Sequence, residues 1–373
     1  MLRWVSCTAL LACLSWGRAL SAEEVPNLPR PSVGHFEPVA GTTPLGPADL
    51  VPPLLDDEAY NDKFTFDIFL DGDIKLYYSV FITNLGPGQG KARVRSSVTL
   101  PDGTSYDDDH TLDDDEWNSR GDSFDMTLRG YHLRGTPDRL QLSVTAKAYA
   151  FDLVAEADVP PWRPPQGTIE MRKAPLYFHT VYVAPRNRVT GTLSLSGGAP
   201  REVKGFGYGI HSHSNAAPYQ LAWRWVSLRS VAPDWTLFTK QLVTSADDGK
   251  RAFAWLLIAG PDGVKFESSD VDYALTETTP DEKHVNHYPV PGKVVIHARH
   301  GSDEAWILLR AGTLRSRSEP LKSMNALVRA VAEAVTKPLE IEYLSPFVVR
   351  LRVSGKWYAF DGTGHYELSF LNQ

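Results

Sequence analysis

The stretch Gly205–Ser230, GFGYGIHSHSNAAPYQLAWRWVSLRS, gathers two histidines, an asparagine, two tryptophans and Arg224 in a chain otherwise written as β-strands. Three chemistries suit such residues: a metal site, an acid–base site, or the wall of an apolar pocket. If GIHSHSN is a strand, His211, His213 and Asn215 share one face while Ser212 and Ser214 take the other. Two histidines at H-x-H spacing are half of a closed zinc site, and the remaining ligands have to come from elsewhere. His179, His297 and His300 qualify by type alone, so the expectation is no metal and no cofactor.

The pocket reading fits better, because small-molecule sites combine apolar walls with a few orienting polar groups. Trp223 and Trp225 would share one face of the next strand, with Arg224 on the other. The ligand-binding candidates are Tyr177, His179, Tyr208, His211, His213, Asn215, Trp223, Arg224 and Trp225. His211 and His213 are also the catalytic candidates, as donors of a hydrogen bond or proton. The plain alternative is that the tryptophans are barrel core and the histidines are satisfied structural groups.

These residues need a scaffold, and composition limits what it is. The 373 residues are 42% hydrophobic, 11% aromatic and 22% charged, a globular balance large enough for two cores. A net charge of −7, with scattered Lys and Arg, argues against nucleic acid as a partner. The N-terminus, MLRWVSCTALLACLSWGRALSAEE, has a basic start, an apolar run from Trp4 to Trp16 and a small-residue end at Ala22. That is the pattern of a cleaved secretory signal, and it predicts a secreted or periplasmic protein. LLAC, ending at Cys13, is the rival reading as a lipoprotein box. Cys7 and Cys13 are the only cysteines, and both fall in this leader, which excludes cysteine catalysis and disulfides from the mature chain.

After residues 1–22, residues 23–60 read as an extended Pro-rich arm. FTFDIFL then alternates Phe64, Phe66, Ile68 and Leu70, and KLYYSVFIT, ARVRSSVTL and LQLSVTAKAYAF continue as antiparallel strands in meander order. PPWRPPQG, Pro160–Gly167, is the best internal boundary, since four prolines in eight residues do not fit a central strand. Eight further strand-like runs follow, from RVTGTLSLS to YELSF. One helix is expected in PLKSMNALVRAVAEAV, where Leu321, Met324, Leu327, Val328, Val331 and Val335 recur at helical spacing. The expected fold is all-β: two consecutive antiparallel lipocalin-like barrels or sandwiches, residues 61–165 and 166–373, with one C-terminal helix. The acidic run YDDDHTLDDDEW lacks the spacing of a calcium loop and reads as a solvated hairpin connection.

GIHSHSNAAPYQLAWRW resembles the motif of the fungal survival-factor (Svf) family of two-domain lipocalin-like proteins, through His211, Pro218, Ala222, Arg224 and Trp225. APRNRVTGTL agrees at Pro185, Arg186, Gly191 and Thr192, HYPVPGKVVI resembles the family's strand entry, and NALVRAVAEAVTKPLEIEY with DGTGHYELSFL resembles its closing helix and final strands. The likeness runs from about Phe64 onward. It implies kinship with a wider superfamily that includes carotenoid 1,2-hydratases, AttH-like proteins and Diels–Alder cyclases, all handling long apolar molecules. The hydratase branch has an aspartate between its two histidines where this chain has Ser212, so protonating an alkene here needs a carboxylate from a distant strand.

The leading expectation is therefore a secreted or periplasmic binding protein for a lipid or isoprenoid held in an aromatic cavity. The alternative is a hydratase or Diels–Alder-type cyclase acting on a polyene or prenyl substrate, and a structural envelope protein is the third. The expected partner is a hydrophobic small molecule; a peripheral membrane contact and the oligomeric state are left open.

Overall fold

The computed structural model describes Leu45, Asp49 and residues 51–371, apart from 85–89, 121–123, 137, 166, 173–174 and 324–325. The leader, both cysteines and most of the arm lie outside the described residues. The first sheet holds twelve strands: β1 (Asn61–Leu70), β2 (Ile74–Thr83), β3 (Lys91–Thr99), β4 (Ser105–Leu112), β5 (Trp117–Ser119), β6 (Asp125–Leu128), β7 (Tyr131–Thr136), β8 (Arg139–Thr145), β9 (Tyr149–Val159), β10 (Thr168–Glu170), β11 (Tyr177–Leu195) and β12 (Arg201–Ser214). Their order is β4-β3-β2-β1-β12-β11-β9-β8-β7-β6-β5, with β10 beside β11.

The second sheet holds ten: β13 (Ala222–Val231), β14 (Thr236–Thr244), β15 (Ala252–Gly260), β16 (Gly263–Ser268), β17 (Asp270–Pro280), β18 (Pro289–His300), β19 (Asp303–Arg310), β20 (Thr313–Ser318), β21 (Leu339–Val353) and β22 (Lys356–Phe370). All pairings are antiparallel, and both sheets curl into barrels, the all-β architecture expected. Among the described residues, α-helices are limited to α1 (Pro218–Leu221) and α2 (Ala326–Glu333). No helix of the described residues is long and apolar enough to cross a membrane.

Sequence alternation explains what each barrel buries. Phe64, Phe66, Ile68 and Leu70 on β1 enter the first core with Tyr78, Tyr131, Leu142 and Phe151. In contrast, β15 is buried along its whole length. Its Ala254, Leu256 and Ile258 fill the second barrel, while Phe253, Trp255 and Leu257 enter a third apolar layer between the barrels. A strand covered on both faces reads as an unbroken apolar run rather than an alternation. Trp162, Phe178, Tyr182 and Tyr208 of the first barrel meet Phe238, Phe253 and Trp255 of the second in that layer. Trp255 Nε1 donates to Tyr182 Oη at 3.0 Å, and Arg186 donates to the Ala232 carbonyl at 2.6 Å.

Three expectations are corrected. The proline block does not separate the barrels: β10, β11 and β12 return to the first sheet, β12 pairs with β1, and the second sheet begins at Ala222. Closing a barrel is a long-range pairing, which a local composition break does not report. The helix is shorter than its sequence period, covering Ala326–Glu333 after a tight turn at Pro320–Ser323. Leu321 is buried, whereas Val331 and Val335 are 68% and 52% exposed; Met324 lies outside the described residues. Finally, the first half of the acidic run is edge strand β4, not a connection. Asp109 and Asp107 on it pair with Arg93 and Arg95 of β3, and such charges discourage further strand pairing at a sheet edge.

Candidate functional site

β12 carries chemistry on both of its faces. On the inward face, cross-strand pairing sets Asp62 of β1 opposite His213, and His213 opposite His179 of β11, with Thr168 of β10 beyond. His211 lies one step further into the barrel, its ring stacked on Phe64 at 4.0 Å. Gly209 makes room for this arrangement, because a Cβ there would lie 2.3 Å from the Phe66 ring.

His211 Nε2 sits 3.0 and 3.1 Å from the two Asp62 oxygens, and Nδ1 is 2.9 Å from the Asp49 carbonyl oxygen. The Asp49 carbonyl can only accept, so Nδ1 donates to it, and Nε2 shares a proton with the Asp62 carboxyl group. The pair is dry, with 1% and 0% of the side-chain surface exposed. Tyr60 Oη donates to Asp62 at 3.1 Å, and Arg163 holds the Asp49 carboxylate at 3.0 Å. Asp49 thus ties the segment before β1 to the barrel end.

His213 and His179 stay neutral. Burial, reinforced by the neighbouring His211, pushes His213 down to about 3 and His179 down to about 4. His213 Nδ1 shares a proton with Tyr177 Oη at 3.0 Å, and His179 Nδ1 shares one with Thr168 Oγ1 at 2.7 Å. Their rings lie 4.7 Å apart. Among the described residues, no group of three or more histidine, cysteine or acidic side chains is placed to hold a metal ion.

The outward face of β12 looks into the layer between the barrels. There Tyr208 meets Phe238, and Trp225 of β13 donates from Nε1 to Glu367 of β22 at 3.0 Å. Arg229 holds the other Glu367 oxygen at 3.2 Å. Lys240 of β14 sits between the rings of Trp225, 4.7 Å away, and Phe178, 5.2 Å away. Glu367 and Arg229 are half-buried, with 32% and 21% of their side-chain surface accessible. Burial alone would raise the Glu367 carboxyl, but Arg229, Lys240 and Lys63 overcome it and hold the group below its ordinary value. Burial also drives Lys240 down to about 8.

The sequence candidates therefore divide rather than converge. His211, His213, Tyr177 and His179 gather at the end of the first barrel. Tyr208 and Trp225 face the inter-barrel apolar layer on the opposite side of β12. Arg224 points into the second barrel and donates to Gln241 at 3.1 Å. A bulge between Ala222 and Arg224 breaks the expected alternation, so Trp223 does not share the Trp225 face and instead packs edge-on to Phe370. Asn215 lies past the end of β12 and fastens the entry to β11, accepting from Tyr177 N and donating to the Pro175 carbonyl. One common pocket lined by His211, His213, Asn215 and Trp225 is thus corrected to two separate groups.

Asp62, Lys240, Arg229 and Glu367 escaped the sequence reading. Two left a trace: Asp62 occupies an inward position of the β1 alternation, and Lys240 interrupts the apolar TLFTKQLVT. Asp62 also brings a carboxylate to His211 from a distant strand.

No family model and no curated protein matches the chain. Solved structures do. A putative AttH from Nitrosomonas europaea is 15% identical, with a TM-score of 0.51 over 89% of this chain and 99% of that one. Kievitone hydratase from Nectria haematococca is 10% identical, with a TM-score of 0.51 over 90% and 98%. CghA bound to Sch210972 is 10% identical, with a TM-score of 0.56 over 90% and 94%. The chain shares the two-barrel fold of these three proteins. At these identities the likeness concerns fold, and chemistry has to be argued from the site.

Proposed function

We propose that the protein is an enzyme that hydrates or cyclises an apolar, unsaturated small molecule held between its two barrels. The observation that carries this reading is the Trp225–Glu367–Arg229 set beside the aromatic layer between the barrels. A carboxylate kept ionised by two fixed donors can orient water or accept a proton, while the aromatic walls fold a flexible chain into a reactive conformer. A similarly folded protein is a hydratase, which supports transformation, and another was solved with the small molecule Sch210972. The apolar N-terminal segment makes export part of the proposal, tested by sequencing the N-terminus of the protein from its host.

Organic extracts of the host, incubated with the protein and followed by mass spectrometry, test the activity. The expected result is a product heavier by one water or an isomer of unchanged mass, abolished by Glu367→Gln or Trp225→Ala. A bound apolar molecule recovered unchanged, with no product, would overturn the enzymatic reading and leave a carrier.

One observation favours a second reading. Asp62 completes an acid–base set with His211 and His213, so proton donation at the end of the first barrel is chemically equipped. Turnover lost in His213→Gln but kept in Glu367→Gln would move the reaction to that end.

A further inference from the structure

The second barrel carries a cavity of about 400 Å³ between the loop that joins β17 to β18, the tight turn Pro320–Ser323 and the end of α2. Side chains fasten that loop from both ends. Arg317 of β20 grips the two Asp281 oxygens at 2.7 and 2.9 Å, and Asp281 in turn accepts from the backbone N–H groups of Lys283 and His284. Tyr288 Oη donates to the Lys337 carbonyl at 3.0 Å, and its ring stacks on His284 at 4.8 Å. His284 Nδ1 accepts the Asn286 N–H at 3.2 Å, so the proton of the neutral ring resides on Nε2. His284 is only 2% exposed and lines the cavity, yet among the described residues Nε2 has no partner.

The charges around this donor are unequal. Glu319 is already held by Arg317 and Lys322, each at 2.9 Å, and Glu333 faces Arg329 at 3.8 Å. Lys283 and Lys337 line the same cavity and, among the described residues, form no ion pair. Two uncompensated ammonium groups and a fixed N–H donor, beside apolar Val285, Leu321 and Pro338, suit a negatively charged oxygen head. We propose that this cavity binds a small oxyanion, phosphate or carboxylate, with Lys283 and Lys337 supplying charge and His284 Nε2–H a directional hydrogen bond. Burial holds His284 below its ordinary value, so the ring offers that donor in its neutral form at neutral pH. The cavity shares no residue with the Glu367 or His211 groups, so the site stands whether or not the proposed reaction does.

The test is calorimetric titration of the full chain with inorganic phosphate, phenyl phosphate and benzoate, at low ionic strength because salt screens exposed lysines. One-site binding of at least one of them is expected. Lys283→Gln combined with Lys337→Gln should weaken it about tenfold. His284→Phe keeps an aromatic ring on Tyr288 but removes the donor, and should weaken binding about fivefold. Lys147→Gln, an exposed lysine of the first barrel, should leave binding unchanged. Should His284→Phe fail to fold, the paired lysine variant still decides, since it alters no buried ring. Tighter binding of the two phosphates identifies a phosphate head, and tighter binding of benzoate a carboxylate. Binding of none of the three at millimolar concentration, binding unchanged in the paired lysine variant, or an equal loss in Lys147→Gln would each overturn the site.

Discussion

Asp62 and His211 are 149 residues apart in the chain and meet at 3.0 Å with essentially no exposed side-chain surface. Removing one member of such a buried pair strands the other's charge, at a cost of about 3–5 kcal/mol. Asp62→Ala and His211→Ala should each lower stability in urea by that order. The double variant should cost less than the sum of the two, and strict additivity would show that the groups are not coupled.

His213 and His179 give stability a defined acid limb. Both are harder to protonate folded than unfolded, falling from 6.5 to about 3 and about 4. Between those values and 6.5 the unfolded chain binds more protons, so stability falls as pH drops from 6.5 towards 3. The slope is up to about 1.4 kcal/mol per pH unit for each histidine. His213→Gln should flatten this limb in a series of urea melts; an unchanged slope would mean that the ring is not desolvated.

Lys240 acts at the other end of the scale. Its folded value of about 8 lies below the ordinary 10.5, so the unfolded chain holds the extra proton between them and stability should rise with pH across that window. Lys240→Met should remove the rise and be more stable than the parent at pH 7. Denaturant midpoints at pH 7 and 10 for both proteins would measure it, and parallel behaviour would contradict a lowered Lys240 basicity.

Gly209 is where β12 accepts the Phe66 ring. Adding a single methyl at 2.3 Å forces the ring or the strand to move, so Gly209→Ala should cost about 1–3 kcal/mol. A compensating Phe66→Leu should recover part of the loss, and no recovery would place the strain elsewhere.

Much of the architecture was legible because strand signals are local. Alternating runs such as FTFDIFL, and the unbroken AFAWLLIA, report how many faces of a strand are covered, so an all-β chain with two barrels could be read directly. The boundary near Pro160–Gly167 was misread for the complementary reason. Pairing β12 with β1 spans more than a hundred residues and leaves no mark in the composition of either strand.

The site divides along the same line. Residue types and two-residue spacing determined that His211 and His213 share a face and that Arg224 and Trp225 oppose one another. Only the tertiary structure decided that Asp62 supplies the carboxylate, that a bulge turns Trp223 away, and that Lys240, Arg229 and Glu367 converge beside Trp225. Sequence fixes which face of its own strand a side chain occupies; what stands opposite that face depends on how the barrels close and dock, a choice made by packing over distances no local pattern encodes.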